Sequence, residues 1–157
     1  MKTNLKDYLE NLASDGFLKR QKIDIGQIKI LLKIAFKNFS SAEKILKIDE
    51  EAAYISAYSS MMKLGRALIY LNGFKPTDKH QHKTVVNIAS NILGDEFDAL
   101  IIKFDQMRRK RNQFTYDISM PLSKTDVKNA IKTAYDFFET VRAEVFSNDP
   151  QLRLFKF

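Results

Sequence analysis

A chain of 157 residues that meets its first proline only at Pro76, with three prolines and five glycines in all, has few places to turn. Long helices satisfy that constraint, and a many-turned β architecture does not. The apolar spacing agrees. Ile28, Leu31, Leu32, Ala35, Phe36 and Phe39 recur at the helical period and predict a helix from about Ile25 to Leu46. Asp49 then reads as the cap of a third helix, with Glu50 and Glu51 favourable in its first turn. That helix carries Tyr54, Tyr58, Met61, Leu68 and Tyr70, and stops at Asn72-Gly73. Its three tyrosines are expected to line the core. Gly65, inside it, is expected to let a neighbouring helix approach closely, at up to about 1 kcal/mol relative to Ala.

The other segments follow the same logic. A short first helix is expected over Leu5 to Ala13, ending near Gly16, and a loop over Phe74 to Gln81 around Pro76. A fourth helix spans about His82 to Leu93 and ends at Gly94; a fifth runs from Asp95 to about Thr115. Ile118 to Leu122, with Pro121, reads as a loop. Ser123 and Asp126 have the spacing of a capping box that opens a sixth helix to about Phe146. Leu152, Leu154, Phe155 and Phe157 make an apolar tail, ordered only if it docks. The expectation is one all-α domain over residues 1–157, its core about 25–147 and its tail 148–157. Its architecture is an up-down bundle of four long helices with short accessory ones.

Composition narrows the chemistry. With no cysteine there is no disulfide, thiolate nucleophile or Cys-based zinc site. No stretch approaches 18 uncharged apolar residues, so no membrane span is expected. The N-terminal MKTNLKDYLENLASDG alternates charges and has no apolar core of signal-peptide length. A cytoplasmic location is the corresponding expectation. His80 and His82 are the only histidines. They do not share a helical face, and with Asp78 as the nearest acid no metal site and no cofactor are expected. Phosphate-loop, dinucleotide, nucleophile-elbow and zincin motifs are absent. The net charge of +7 favours a polyanionic partner, with a lysine-rich solvated surface as the equal alternative.

The fifth helix is the informative one. Phe97, Phe104 and Arg111 stand seven residues apart, beside a second such line of Leu100, Met107 and Phe114. Together they form a heptad-like seam in which Arg111 continues a row of phenylalanines, and Phe97, Leu100, Phe104 and Met107, with the apolar tail, are expected to offer surface for a second copy. A buried guanidinium needs a carboxylate, a cleft, an interface or an anionic ligand; a helix protruding past the core, with cations favoured at its C-terminus, is the competing explanation. Lys103, Arg108, Arg109, Lys110 and Arg111 put five cations in nine residues, with Asp105 the one acid among them. Such a patch could hold a nucleic-acid backbone.

Arg111-Asn112-Gln113-Phe114-Thr115-Tyr116, followed by Asp117, resembles the R-N-x-x-x-H motif of HEPN domains. So does its setting. An aromatic-rich helix with Leu64-Gly65-Arg66-Ala67-Leu68 ends at Gly73, a short helix starts around His82-Lys83-Thr84, and the motif helix comes next. The resemblance covers about residues 28 to 145. It implies a homodimer with two motif helices facing across a basic cleft. It also implies RNA as substrate or ligand, and in many members metal-independent endoribonuclease activity. Some members act as toxins or defence components beside a nucleotidyltransferase-type partner protein. By the resemblance Arg111 would neutralise charge on the scissile phosphate and Asn112 would orient the site. Tyr116 stands where active members carry the acid–base His, and a phenol of ordinary pKa near 10 is a poor base at pH 7. On a straight helix Arg111 and Tyr116 point about 140° apart, converging only if the helix ends between them or a partner helix completes the site. His82, folded toward Arg111, is the other imidazole that could supply a proton. The expected function is therefore an RNA- or partner-binding HEPN-like protein, in a toxin–antitoxin or defence setting, with a degenerate nuclease motif. The alternatives are an active endoribonuclease using Arg111 with Tyr116 or His82, and a structural dimeric helical adaptor.

Overall fold

The computed structural model of the chain describes residues 4–116 and 121–151. Within them lie α1 (Leu5–Ser14), β1 (Leu18–Arg20), α2 (Ile25–Ile45), α3 (Glu50–Leu71), β2 (Phe74–Pro76), α4 (Gln81–Leu93), a 3-10 turn (Asp95–Phe97), α5 (Asp98–Tyr116) and α6 (Lys124–Asn148). The fold is all-α, with four long helices. Ile118 to Met120, the first part of the expected Ile118 to Leu122 loop, and the apolar tail residues 152–157 lie outside the described residues.

Side-chain caps set the helix starts. Asn4, Asp24 and Asp49 each accept a backbone N–H of the first turn they precede. Ser123 and Asp126 form both halves of a capping box at the start of α6. Gly73 and Gly94, at φ +83° and +87°, take the conformation that ends α3 and α4 at little steric cost.

Helix α3 is the centre of the packing, touching α2, α4, α5 and α6. Twelve of its residues are buried, among them Tyr58, Met61, Leu64 and Leu68, which is why its apolar residues wrap round the helix instead of forming one stripe. The α2–α3 connection is short, and the Ser56 hydroxyl donates to the Asn38 carbonyl at 2.7 Å across it. Phe36, Phe39 and Phe138 join α2 to α6 with ring centroids 5.1–5.6 Å apart. At Gly65 an added Cβ would lie 2.3 Å from Cγ1 of Val85. The α3–α4 crossing therefore admits only glycine without rearrangement.

Two expectations are corrected. Phe74 to Gln81 is not all loop: β2 pairs antiparallel with β1, Leu18 opposite Pro76 and Arg20 opposite Phe74. Three-residue strands separated by α2 and α3 leave no periodicity in the sequence to detect. The α5 seam, expected to offer surface for a second copy, is consumed within the chain. Phe104, Met107 and Phe114 are buried, and Phe97 and Leu100 pack on the core. Phe104 meets Tyr58 and Phe137, and Phe114 meets Tyr54 edge-on at 5.3 Å.

Candidate functional site

The seam fixes the rotation of α5, and that rotation divides the five cations instead of presenting them as one patch. Arg108 and Arg109 both pair with Asp105, Nε to carboxylate at 2.8 and 2.9 Å. Arg109 is 71% exposed at its side chain; Arg108 is 15% exposed and turned inward. Lys103 and Lys110, seven residues apart, lie on the α6 side, where they line a cleft with Tyr54, Asp126 and Asp136. Lys110 donates to Asp126 at 3.2 Å. The Asp126 carboxyl is held below its usual range, chiefly by the Ser123 backbone and hydroxyl and then by Lys110. Burial and the Asp126 charge push the Tyr54 phenol up to about 12.

Arg111, half-buried, belongs to the other side of α5, towards the start of α4. There its charge acts on Tyr58 and His82 together with those of Arg108 and Arg66. His82 is the second residue of α4, and its Nδ1 lies 2.7 Å from the Tyr58 hydroxyl, the two rings near-parallel. Arg66 donates to Gln81 at 2.6 Å. Burial raises the Tyr58 phenol far above neutrality, so it stays protonated. A buried O–H needs an acceptor, and His82 Nδ1 is in reach. With the Tyr58 hydroxyl as donor, the neutral ring of His82 carries its proton on Nε2. The imidazole pKa is lowered, first by burial and then by Arg111, Arg66 and Arg108 in that order. At pH 7 the ring is therefore neutral in a positive potential.

The structure thus brings Arg111, Arg108 and His82 into one neighbourhood. Lys103, Arg109 and Lys110 lie apart from it. Asn112 is half-buried next to Arg111. Tyr116 is 87% exposed, and α5 continues through it, so the helix does not end between Arg111 and Tyr116 and their side chains diverge. Sequence reasoning did not include Arg66, Gln81 or Tyr58 in the site. The available signal was Arg66 itself, a guanidinium in the largely apolar run from Met61 to Leu71. Among the described residues no group of three or more His, Asp or Glu side chains is placed to hold a metal ion, and no helix is long and apolar enough to cross a membrane.

A family model described as HEPN domain matches residues 28–144. No curated protein matches the chain.

Proposed function

A chain matched by the HEPN domain model over three quarters of its length belongs to the HEPN family, a nuclease-like or RNA-related one; from that premise we propose that it binds RNA through a phosphate-recognising centre formed by Arg66, His82, Arg108 and Arg111. One arrangement carries this reading: a single half-buried imidazole on α4, its Nδ1 held 2.7 Å from the Tyr58 hydroxyl, is kept neutral first by burial and then by three guanidiniums from α3 and α5. A site with that potential favours an anion, and phosphate suits arginine forks and an Nε2–H donor. Asn112 adjoins the centre. Lys103, Arg109 and Lys110 lie on other faces of α5 and would steer a polyanion toward it.

The test is binding of a single-stranded RNA oligonucleotide as a function of salt. Each phosphate contact contributes about −0.7 to the log–log slope. Arg66→Ala and Arg111→Ala are expected to flatten the slope and weaken binding by about tenfold each, a loss of about 1.4 kcal/mol. Binding that is unchanged in both variants overturns the assignment.

A second reading is favoured by the position of His82. An imidazole beside Arg111 supplies the proton-transfer group that Tyr116 lacks. In that reading the ribose 2′-hydroxyl attacks phosphorus, its proton passing to water, and the 5′-oxygen leaves with a proton from the His82 imidazolium that bound phosphate stabilises; His82→Asn then abolishes cleavage while leaving RNA binding largely intact. Cleavage that persists in His82→Asn removes this reading.

The same proposal includes a homodimer, with α5 facing its copy. Ile102, Arg109 and Tyr116 form an outward line, seven residues apart, in place of the buried seam. A two-fold pairing on this line buries Ile102 and the Tyr116 ring against the copy and leaves the arginine centre on the opposite side of α5. A nucleotidyltransferase-type partner protein, a toxin–antitoxin or defence setting and a cytoplasmic location complete the reading; co-purification from the native host tests the partner.

A further inference from the structure

A cavity of about 640 Å³ lies away from the arginine centre, between the end of α2 and the first half of α6. Its floor is apolar: Leu46, Ile131 and the half-exposed Tyr135. Its rim is basic: Lys47, Lys124, Lys128 and Lys132, all exposed. Among the described residues none of these four ammonium groups has a carboxylate within ion-pairing distance. From this groove we infer a docking site for an acidic amphipathic helix of a partner protein.

The geometry matches that occupant. Lys124, Lys128, Ile131 and Tyr135 share one face of α6 and span about 17 Å at 1.5 Å per residue, room for about three helical turns. Lys124, Lys128 and Lys132 repeat at one-turn spacing, the spacing at which glutamates on a facing helix recur. An apolar stripe on that helix would cover Tyr135 and the exposed edges of Leu46 and Ile131. Lys124 also stands in the first turn of α6, where the helix dipole disfavours a cation. Retaining lysine there costs α6 some stability that a docked carboxylate recovers.

Other occupants fit less well. A nucleic-acid backbone makes no use of an apolar floor. The chain's own residues 152–157 carry Arg153 and Lys156 and no acidic side chain, the wrong charge for this rim.

The probe is a synthetic, fluorescein-labelled amphipathic peptide of about four helical turns, leucine on one face and glutamate on the flanking rows. It is titrated against the full chain by anisotropy at low salt. Saturable binding is expected, with no binding by a scrambled peptide of the same composition. The double variant Lys124→Glu/Lys128→Glu is expected to weaken it by about tenfold or more. Both changes place an acid near the start of α6, where the dipole favours it, so folding is preserved. The charge-swapped peptide, lysine for glutamate, is expected to bind that variant better than the original chain. Tyr135→Ala, with circular dichroism confirming the fold, is expected to weaken binding through the floor alone. Equal binding of the scrambled peptide, or binding that survives the double reversal, overturns the proposal. So does a double reversal that removes single-stranded RNA binding and spares the peptide, or one that converts a dimer to a monomer by light scattering. Those two results assign the groove to RNA and to a second copy.

Discussion

His82 is the residue whose chemistry depends most on its surroundings. Its pKa in the fold lies below the ordinary 6.5, with burial and then Arg111 as the leading causes. Above pH 6.5 the ring is neutral in both folded and unfolded chains, and its contribution to stability is complete. Below 6.5 the unfolded chain takes up the proton first, so stability falls with pH until the folded ring is protonated too. A bound phosphate has the opposite preference, since it stabilises the imidazolium. We therefore expect the melting temperature of the chain to drop more steeply from pH 7 to pH 5 than that of His82→Asn. RNA affinity is expected to rise over the same window, again more than in the variant. Parallel melting curves for the two proteins would remove His82 from the positive neighbourhood.

At the scale of elements, the close crossing of α3 over α4 decides how well the bundle is packed. Gly65→Ala gains up to about 1 kcal/mol of helix propensity. It also drives a methyl into Val85, a stiff β-branched side chain with no exposure, at a cost of about 1–3 kcal/mol for overpacking. We expect net destabilisation in urea, relieved by Val85→Ala in the same chain; a stabilised Gly65→Ala would show that the crossing has slack. Much of the element structure was legible from local chemistry. Asp49, Asn72-Gly73, Gly94 and the Ser123–Asp126 box mark helix ends through groups that act within a few residues. The β1–β2 pair was not legible, because its hydrogen bonds join segments on either side of α2 and α3. Nor was the division of the cationic patch. The order Lys103 to Arg111 states five charges, but their faces are set by Phe104 and Phe114 finding Tyr58 and Tyr54 on another helix. Arg66 and Tyr58 entered the candidate site for the same reason: Gly65 announces a close helix approach, but nothing near either residue in sequence says that the approaching helix is α4 with His82.

For the whole molecule, the surplus charge of +7 and the outward line of α5 determine how it meets other chains. Ile102 is 57% exposed on that line, beside Arg109 and Tyr116. A pairing centred there buries the isoleucine and sets the two arginine centres in one assembly. We expect light scattering at micromolar concentration to give twice the 18.2 kDa of the chain. Ile102→Lys is expected to return it to monomer, since like charges would then face across the two-fold axis. A wild-type mass of one chain defeats the dimer, while leaving the phosphate centre to be judged by its own variants.

The α3–α4 crossing also has a consequence for reactivity. Arg66 is the residue next to Gly65, and Val85 follows His82 by one turn on α4. The absent side chain at position 65 therefore works as the thinnest setting of a spacer between a guanidinium and an imidazole. Thickening it by one atom, then two, with Ala and Ser would shift α4 outward without altering any charge. The titration of His82, followed by NMR across that graded set, would then move back toward 6.5 as the gauge widens. Burial, the first cause of the lowered imidazole pKa, and the charge of Arg66 would both weaken as α4 moves away.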